Sequence, residues 1–275
     1  MSHLCVTCGT QYPTTNDPPS SCPICKDERQ YIGHAGQTWI TLDMLQKTHR
    51  NVFFLEGEDV WGIQTGPEFG IGQRALLVRT RNGGFLWDCV SLIDPSTIEL
   101  VKALGGISAI AISHPHYYSS MVEWSRAFGG IPIYLHEDDR EWVQYPDPAI
   151  KFWSGETHRL DADLTLIRVG GHFRGFQVLH WAAGEQGRGA LMTGDVPQVC
   201  SDRRHVSFMY SYPNYIPLDA STVRSIVAKL ENYSYSKLYG AWEGFVVSGD
   251  PKQAIRRSAE RYLRALGDAK SFTAP

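Results

Sequence analysis

The sequence predicts a mixed α/β sandwich behind a small cysteine-held N-terminal segment. Three observations carry that reading. From about Val52 onward, short apolar runs alternate with amphipathic helical patterns, as in sheets covered by helices. Short β-prone runs separated by glycine-containing turns, Leu164–Val169, Phe176–His180 and Ala190–Met192, read as an antiparallel meander. The first 26 residues, rich in Cys, Pro, Thr and Ser, show almost no periodicity, so something other than a hydrophobic core must hold them. A chain of 275 residues accommodates both parts. The boundary is placed near residue 35, giving a cysteine segment over 1–35 and the main domain over 36–275.

The elements follow in order. A helix over Ser96–Leu104 starts after Pro95, carries Ile98, Val101 and Leu104 on one face, and stops at Gly105-Gly106. The strand Ile107–Ile112 follows, then a helix over Ser119–Phe128 ended by Gly129-Gly130, then a strand over Ile131–Leu135. Asp219 caps a helix bearing Val223, Ile226, Val227 and Leu230 at i, i+3, i+4 and i+7. A last helix covers Pro251–Leu266; its Arg256, Arg257, Arg261 and Arg264 read as a solvated face.

Composition excludes several function classes. Hydrophobic residues are 43% and charged residues 20%, ordinary globular values. No apolar run approaches the ~18 residues of a spanning helix, so no membrane role is expected. A net charge of -3, with only Lys26 and Arg29 against Asp17, Asp27 and Glu28 in the first 30 residues, offers nucleic acid no basic face. The start, MSHLCVTCGT, lacks a basic stretch followed by an apolar one, so the expected compartment is cytoplasmic, with reduced thiols.

Cys5-Val6-Thr7-Cys8 and Cys22-Pro23-Ile24-Cys25 are two CxxC pairs separated by 13 residues. Each pair brings two thiolates to one ion, and two pairs complete a tetrahedral sulfur shell for Zn²⁺. The segment is read as a zinc ribbon with a structural or docking role; a second copy or a protein partner would dock through it. CxxCG, Tyr12 and CPxC also resemble rubredoxin knuckles, with a loop short for that fold.

In the main domain the run Ile107–Ile112 ends in Ser113-His114-Pro115-His116. Residues two apart on an extended segment share a side, so both imidazoles could face one ion. Gly170-Gly171-His172 sits in a glycine turn between strands, and Thr193-Gly194-Asp195 ends the strand Ala190–Met192. Three neutral imidazoles and a carboxylate suit Zn²⁺ or Fe²⁺.

In this order, HxH, GGHxxG and TGD resemble the metallo-β-lactamase superfamily, over about Val52 to the C-terminus. The segment Val178-Leu179-His180-Trp181 through Asp195 is similar to its glyoxalase-II-like branch. The resemblance implies an αββα four-layer sandwich, with His114, His116, His172 and Asp195 as ligands. It also gives Asp88 a supporting role by hydrogen bonds and makes His136 structural. The family's HxHxDH continues differently here: Tyr118 and Ser119 stand where the second metal's Asp and His are expected. No His occurs in Tyr239–Gly244, where the last ligand should fall, and Glu243 is the one substitute there. One main-site ion is therefore expected.

The leading expectation is a mononuclear hydrolase of a small ester, thioester or lactone, with Asp195 and Tyr118 as catalytic residues handling the proton or an oxyanion. The alternatives are a mononuclear iron oxygenase acting on a thiol or persulfide, and a non-catalytic docking protein. Tyr117, Tyr118, Trp153, Tyr210, Tyr212, Tyr215 and Trp242 suggest a small-molecule substrate with planar or apolar surface. His180 is read as core, and Cys89 and Cys200 as single thiols.

Overall fold

A computed structural model describes residues 2–268. The chain forms two compact units that divide after Trp153. Among the described residues no helix is long and apolar enough to cross a membrane.

The first unit opens with a three-stranded antiparallel sheet in which Ser2–Cys5 pairs with Gln11–Thr14 on one side and Trp39–Thr41 on the other. The cysteine segment therefore takes its third strand from beyond residue 35. A seven-stranded sheet follows, in the spatial order Ile150–Trp153, Ile133–His136, Ala109–Ala111, Gly83–Trp87, Arg74–Thr80, Val60–Gly66, Arg50–Gly57. The last four strands form an antiparallel meander, whereas Gly83–Trp87, Ala109–Ala111, Ile133–His136 and Ile150–Trp153 run parallel. Helices Pro95–Ala103 and Met121–Ala127 make the parallel crossovers.

Arg50–Gly57 is the sheet edge, with Val52 and Leu55 exposed. Its Phe54 lies opposite Gly62, where any Cβ would meet the ring at 2.1 Å, so this cross-strand pair needs a glycine. Arg74 forms a buried ion pair with Glu56.

The second unit holds a six-stranded sheet in the order Thr157–Arg159, Leu164–Arg168, Gln177–Trp181, Ala190–Gly194, Lys237–Gly240, Val246–Ser248. Only Ala190–Gly194 with Lys237–Gly240 is parallel, so the expected meander is present. Helix Ala220–Glu231 buries Val223, Ile226, Val227 and Leu230, each worth roughly 1.5–3 kcal/mol. The Asp219 side chain caps it, accepting from the Thr222 amide at 2.9 Å. Pro251–Ala265 starts in the same way at Asp250.

Two boundaries shift with physical cause. The strand read over Ile107–Ile112 narrows to Ala109–Ala111, with the Ser108 amide still donating to the Gly84 carbonyl at 2.8 Å and the Ile112 amide only weakly to the Tyr134 carbonyl at 3.4 Å. The helix read from Ser119 starts at Met121: Ser119 has φ +43, and the Ser120 hydroxyl is spent on the Ser91 carbonyl at 2.7 Å.

Candidate metal centres

The four paired cysteines converge. Cys5 ends the first strand, Cys8 follows a turn closed by the Gly9 amide on the Cys5 carbonyl, and Cys22 and Cys25 flank the first turn of Pro23–Lys26. Gly9 has φ +79, a conformation glycine adopts without strain. All four sulfurs are buried. Cys5 Sγ lies 3.6 Å from Cys25 Sγ, and Cys8 Sγ lies 3.7 Å from Cys22 Sγ. A disulfide requires about 2.05 Å, whereas a tetrahedron of ~2.3 Å radius has edges of about 3.8 Å. The Gln37 amide donates to Cys5 Sγ at 3.2 Å, and the Tyr12 and Trp39 rings pack edge to face beside the cluster. This is a metal-binding group whose donors fit zinc.

The second group starts at the C-terminal ends of the parallel strands. Asp88 directly follows Gly83–Trp87, with φ +61, and its Oδ1 accepts from both the amide and the hydroxyl of Ser113 at 2.7 Å. That fixes the Ser113 hydroxyl as donor toward Asp88, so its oxygen accepts from His114 Nδ1 at 2.9 Å. The His114 tautomer is thereby set, with Nε2 carrying the lone pair.

His114 and His116 do not share an extended segment, contrary to the sequence expectation. His114 is extended, but Pro115–Tyr117 is a 3₁₀ turn, which proline readily starts. The turn nevertheless brings the two rings to 5.0 Å between centroids, inclined at 75°. Both residues are buried.

His172 and Asp195 follow later in the chain. His172 stands after Gly170 and Gly171, both at positive φ; a Cβ on Gly171 would meet Leu218 at 2.9 Å. Its Nδ1 donates to the Tyr210 carbonyl at 2.6 Å, which leaves Nε2 as the lone-pair nitrogen, 3.9 Å from Asp195 Oδ2. Asp195 follows Ala190–Gly194, and its carbonyl accepts from the Tyr212 hydroxyl at 2.7 Å. One ligand atom from each of His114, His116, His172 and Asp195 lies within 4.8 Å of the others, and all four residues are buried. This donor set also fits a divalent ion.

Of the other residues singled out in the sequence, Tyr117 packs on the His114 ring at 4.9 Å and Tyr212 on the His172 ring at 6.2 Å, and none is among the grouped ligands. The Tyr118 hydroxyl donates to the Asp139 carbonyl at 3.3 Å, and burial first, the Asp139 carboxylate second, push its phenol well above the ordinary range. Ser119 donates to the Cys89 carbonyl at 3.1 Å and accepts from Gln73 at 3.2 Å. Glu243 is exposed and lies outside both metal groups. His136 packs at 4.5 Å on Trp153 and accepts from the Asp138 amide, a structural role. His180 is buried against the Ser234 carbonyl, and burial lowers its pKa. Tyr215 is 84% exposed, whereas Tyr117 and Tyr118 are buried. Arg256 pairs with Glu231, and Arg257 donates to the Arg204 carbonyl. Sequence reasoning missed Ser113, since a lone serine carries no signal; its place between a strand end and HxH was the only clue.

No family model matches the chain. The chain is 52% identical over 266 residues to the uncharacterized protein YmaE of Bacillus subtilis, covering 96% of each. Among solved structures it is similar to VMB-1, with TM-score 0.58 and 12% identity over 79% of this chain and 98% of that one. The Cronobacter sakazakii metallo-β-lactamase with a HARLDQ motif aligns at TM-score 0.54 and 15% identity, covering 81% and 96%. FIM-1 from Pseudomonas aeruginosa, in its mono-zinc form, aligns at 0.53 and 17%, covering 77% and 95%. The chain has the metallo-β-lactamase fold and belongs to one family with the uncharacterized protein YmaE of Bacillus subtilis.

Proposed function

We propose that the chain is a mononuclear metallohydrolase whose ion is held by His114, His116, His172 and Asp195, with a structural zinc on Cys5, Cys8, Cys22 and Cys25. The observation that carries this reading is the buried His₃Asp group, in which hydrogen bonds turn the lone pairs of His114 and His172 to Nε2. A divalent ion there would supply Lewis acidity, acidifying a water toward pKa ~7 and polarising a scissile carbonyl. Zn²⁺ is the ion proposed, with Fe²⁺ the competing occupant of such a mixed N/O site. FIM-1 was crystallised in a mono-zinc form, so a single ion is compatible with this fold.

The chain's own groups take the remaining roles. Asp195, whose Oδ2 lies 3.9 Å from His172 Nε2, would take the proton of the attacking water. Ser113 and Asp88 hold the His114 ring, and the Tyr210 carbonyl holds His172. Tyr118 anchors the 3₁₀ turn through Asp139 and must release that carbonyl to donate to an oxyanion. The substrate class is a small ester, thioester or lactone; the glyoxalase-like run into Asp195 favours the thioester. A reducing compartment such as the cytoplasm suits the four thiolates.

The test is hydrolysis of ester, thioester and lactone panels by zinc-loaded protein. One class should be cleaved, with the activity lost on chelation and at least 10³-fold reduced in His172→Ala. Tyr118→Phe should keep more than a third of kcat. Fully loaded protein inert on every class contradicts hydrolysis.

A further inference from the structure

The four-cysteine knuckle is seated on the segment that presents His114 and His116. The Ser91 hydroxyl donates to the Gly9 carbonyl at 2.8 Å, one residue after Cys8. The Gln11 amide donates to the Ser119 carbonyl at 2.9 Å, three residues after His116. A Cβ on Gly9 would stand 2.2 Å from Ser91 Oγ and 3.7 Å from Ser119 Oγ, and one on Gly70 would touch the Cys8 carbonyl carbon at 3.4 Å. A gap of about 10 Å³ remains beside this seat, room for about one water.

The same short strip that receives the knuckle also holds the imidazole pair. Asp88 binds Ser113, the Cys89 carbonyl accepts from Ser119, and the Ser91 carbonyl accepts from Ser120. Ser119, where the resemblance leads one to look for a ligand, has both its hydroxyl and its carbonyl engaged in this seat. The segment's buried cluster is built largely from the four cysteines, with Tyr12 and Ile24, so a metal drawing the sulfurs together would stabilise it.

We infer that metal in the four-cysteine site braces the His114–Ser119 turn, so that the two metal sites are coupled through Gly9, Gln11, Ser91 and Ser119. Ser91 is a positioning residue in this scheme; it holds the knuckle against the strip and touches neither ion. Coupling of this kind is reciprocal: whatever factor the knuckle metal adds to ion binding at the imidazole pair, the main-site ion adds to the knuckle. The affinity part rests on the one-ion reading above, whereas the ordering of the turn does not.

The experiment uses the full chain with Zn²⁺ as probe, reading amide hydrogen exchange over 113–120 and main-site zinc affinity in the wild type, Cys22→Ser and Ser91→Ala. Cys22→Ser, lacking the knuckle metal, should exchange about tenfold faster over 113–120 and bind main-site zinc about tenfold more weakly, with exchange over 164–181 unchanged. Ser91→Ala should keep the knuckle metal and shift both readouts about threefold in the same direction; it carries the test if Cys22→Ser does not fold. Unchanged exchange over 113–120 in either folded variant overturns the brace. A wild type that binds no main-site zinc defeats the one-ion reading instead, and the exchange comparison still decides the brace.

Discussion

The two metal groups are built in opposite ways. The cysteine group gathers its ligands from 21 consecutive residues, Cys5 to Cys25, on two turns whose buried cluster is mostly the cysteines themselves, with Tyr12 and Ile24. The His₃Asp group draws on positions 114 to 195, and three of its ligands are held by partners within the protein: His114 by Ser113 on Asp88, His172 by the Tyr210 carbonyl, and Asp195 by the Tyr212 hydroxyl. The first site is expected to depend on its metal for shape, while the second draws on strand ends and hydrogen bonds. That contrast supports the proposal that the first ion is structural and the second exchangeable.

The largest expected effect follows from this dependence. Cys22→Ser should abolish metal at the four-sulfur site and remove exchange protection throughout residues 2–41. His172→Ala should empty the main site and lower protection over residues 2–41 by no more than the reciprocal coupling factor of about tenfold. Equal protection over 2–41 in the two variants would break the contrast.

Next in size is Asp88→Asn, which keeps the shape but weakens the acceptor that orders Ser113 and His114. Main-site metal affinity should fall 10- to 100-fold with little change in melting temperature, as for other partners of ligating histidines. A zinc titration followed by calorimetry reads it.

The smallest lies far from both sites. Asp219→Ala removes a helix cap and should cost about 1 kcal/mol. Its carboxyl is held at about 2 by hydrogen bonds from Ser221 and Thr222, below the ordinary 3.8. A depressed carboxylate stabilises the fold above pH ~4 and loses that contribution as pH falls toward 2. The difference between wild type and variant in urea unfolding should therefore be full at neutral pH and shrink across that window.

How much of this was legible in the sequence follows from the range of the interactions. The CxxC pairs announce themselves because their spacing is local, and Asp219 caps its helix as its position suggests. The four main-site ligands were legible only as an ordered set of motifs. The geometry that joins His114 to His116 was misread, because Pro115 makes a turn where an extended step was expected. Ser91 and Ser113 were invisible, since their partners Gly9 and Asp88 lie 82 and 25 residues away and a lone serine has no periodicity. Ser119 was read as a lost ligand, and only the structure shows its carbonyl receiving the Gln11 amide.

Metal content per chain tests the central claim most directly, measured by elemental analysis on zinc-loaded wild type and on His116→Ala. The account predicts two ions per chain in the wild type and one in the variant. Three ions in the wild type, or an equal count in both proteins, would contradict it.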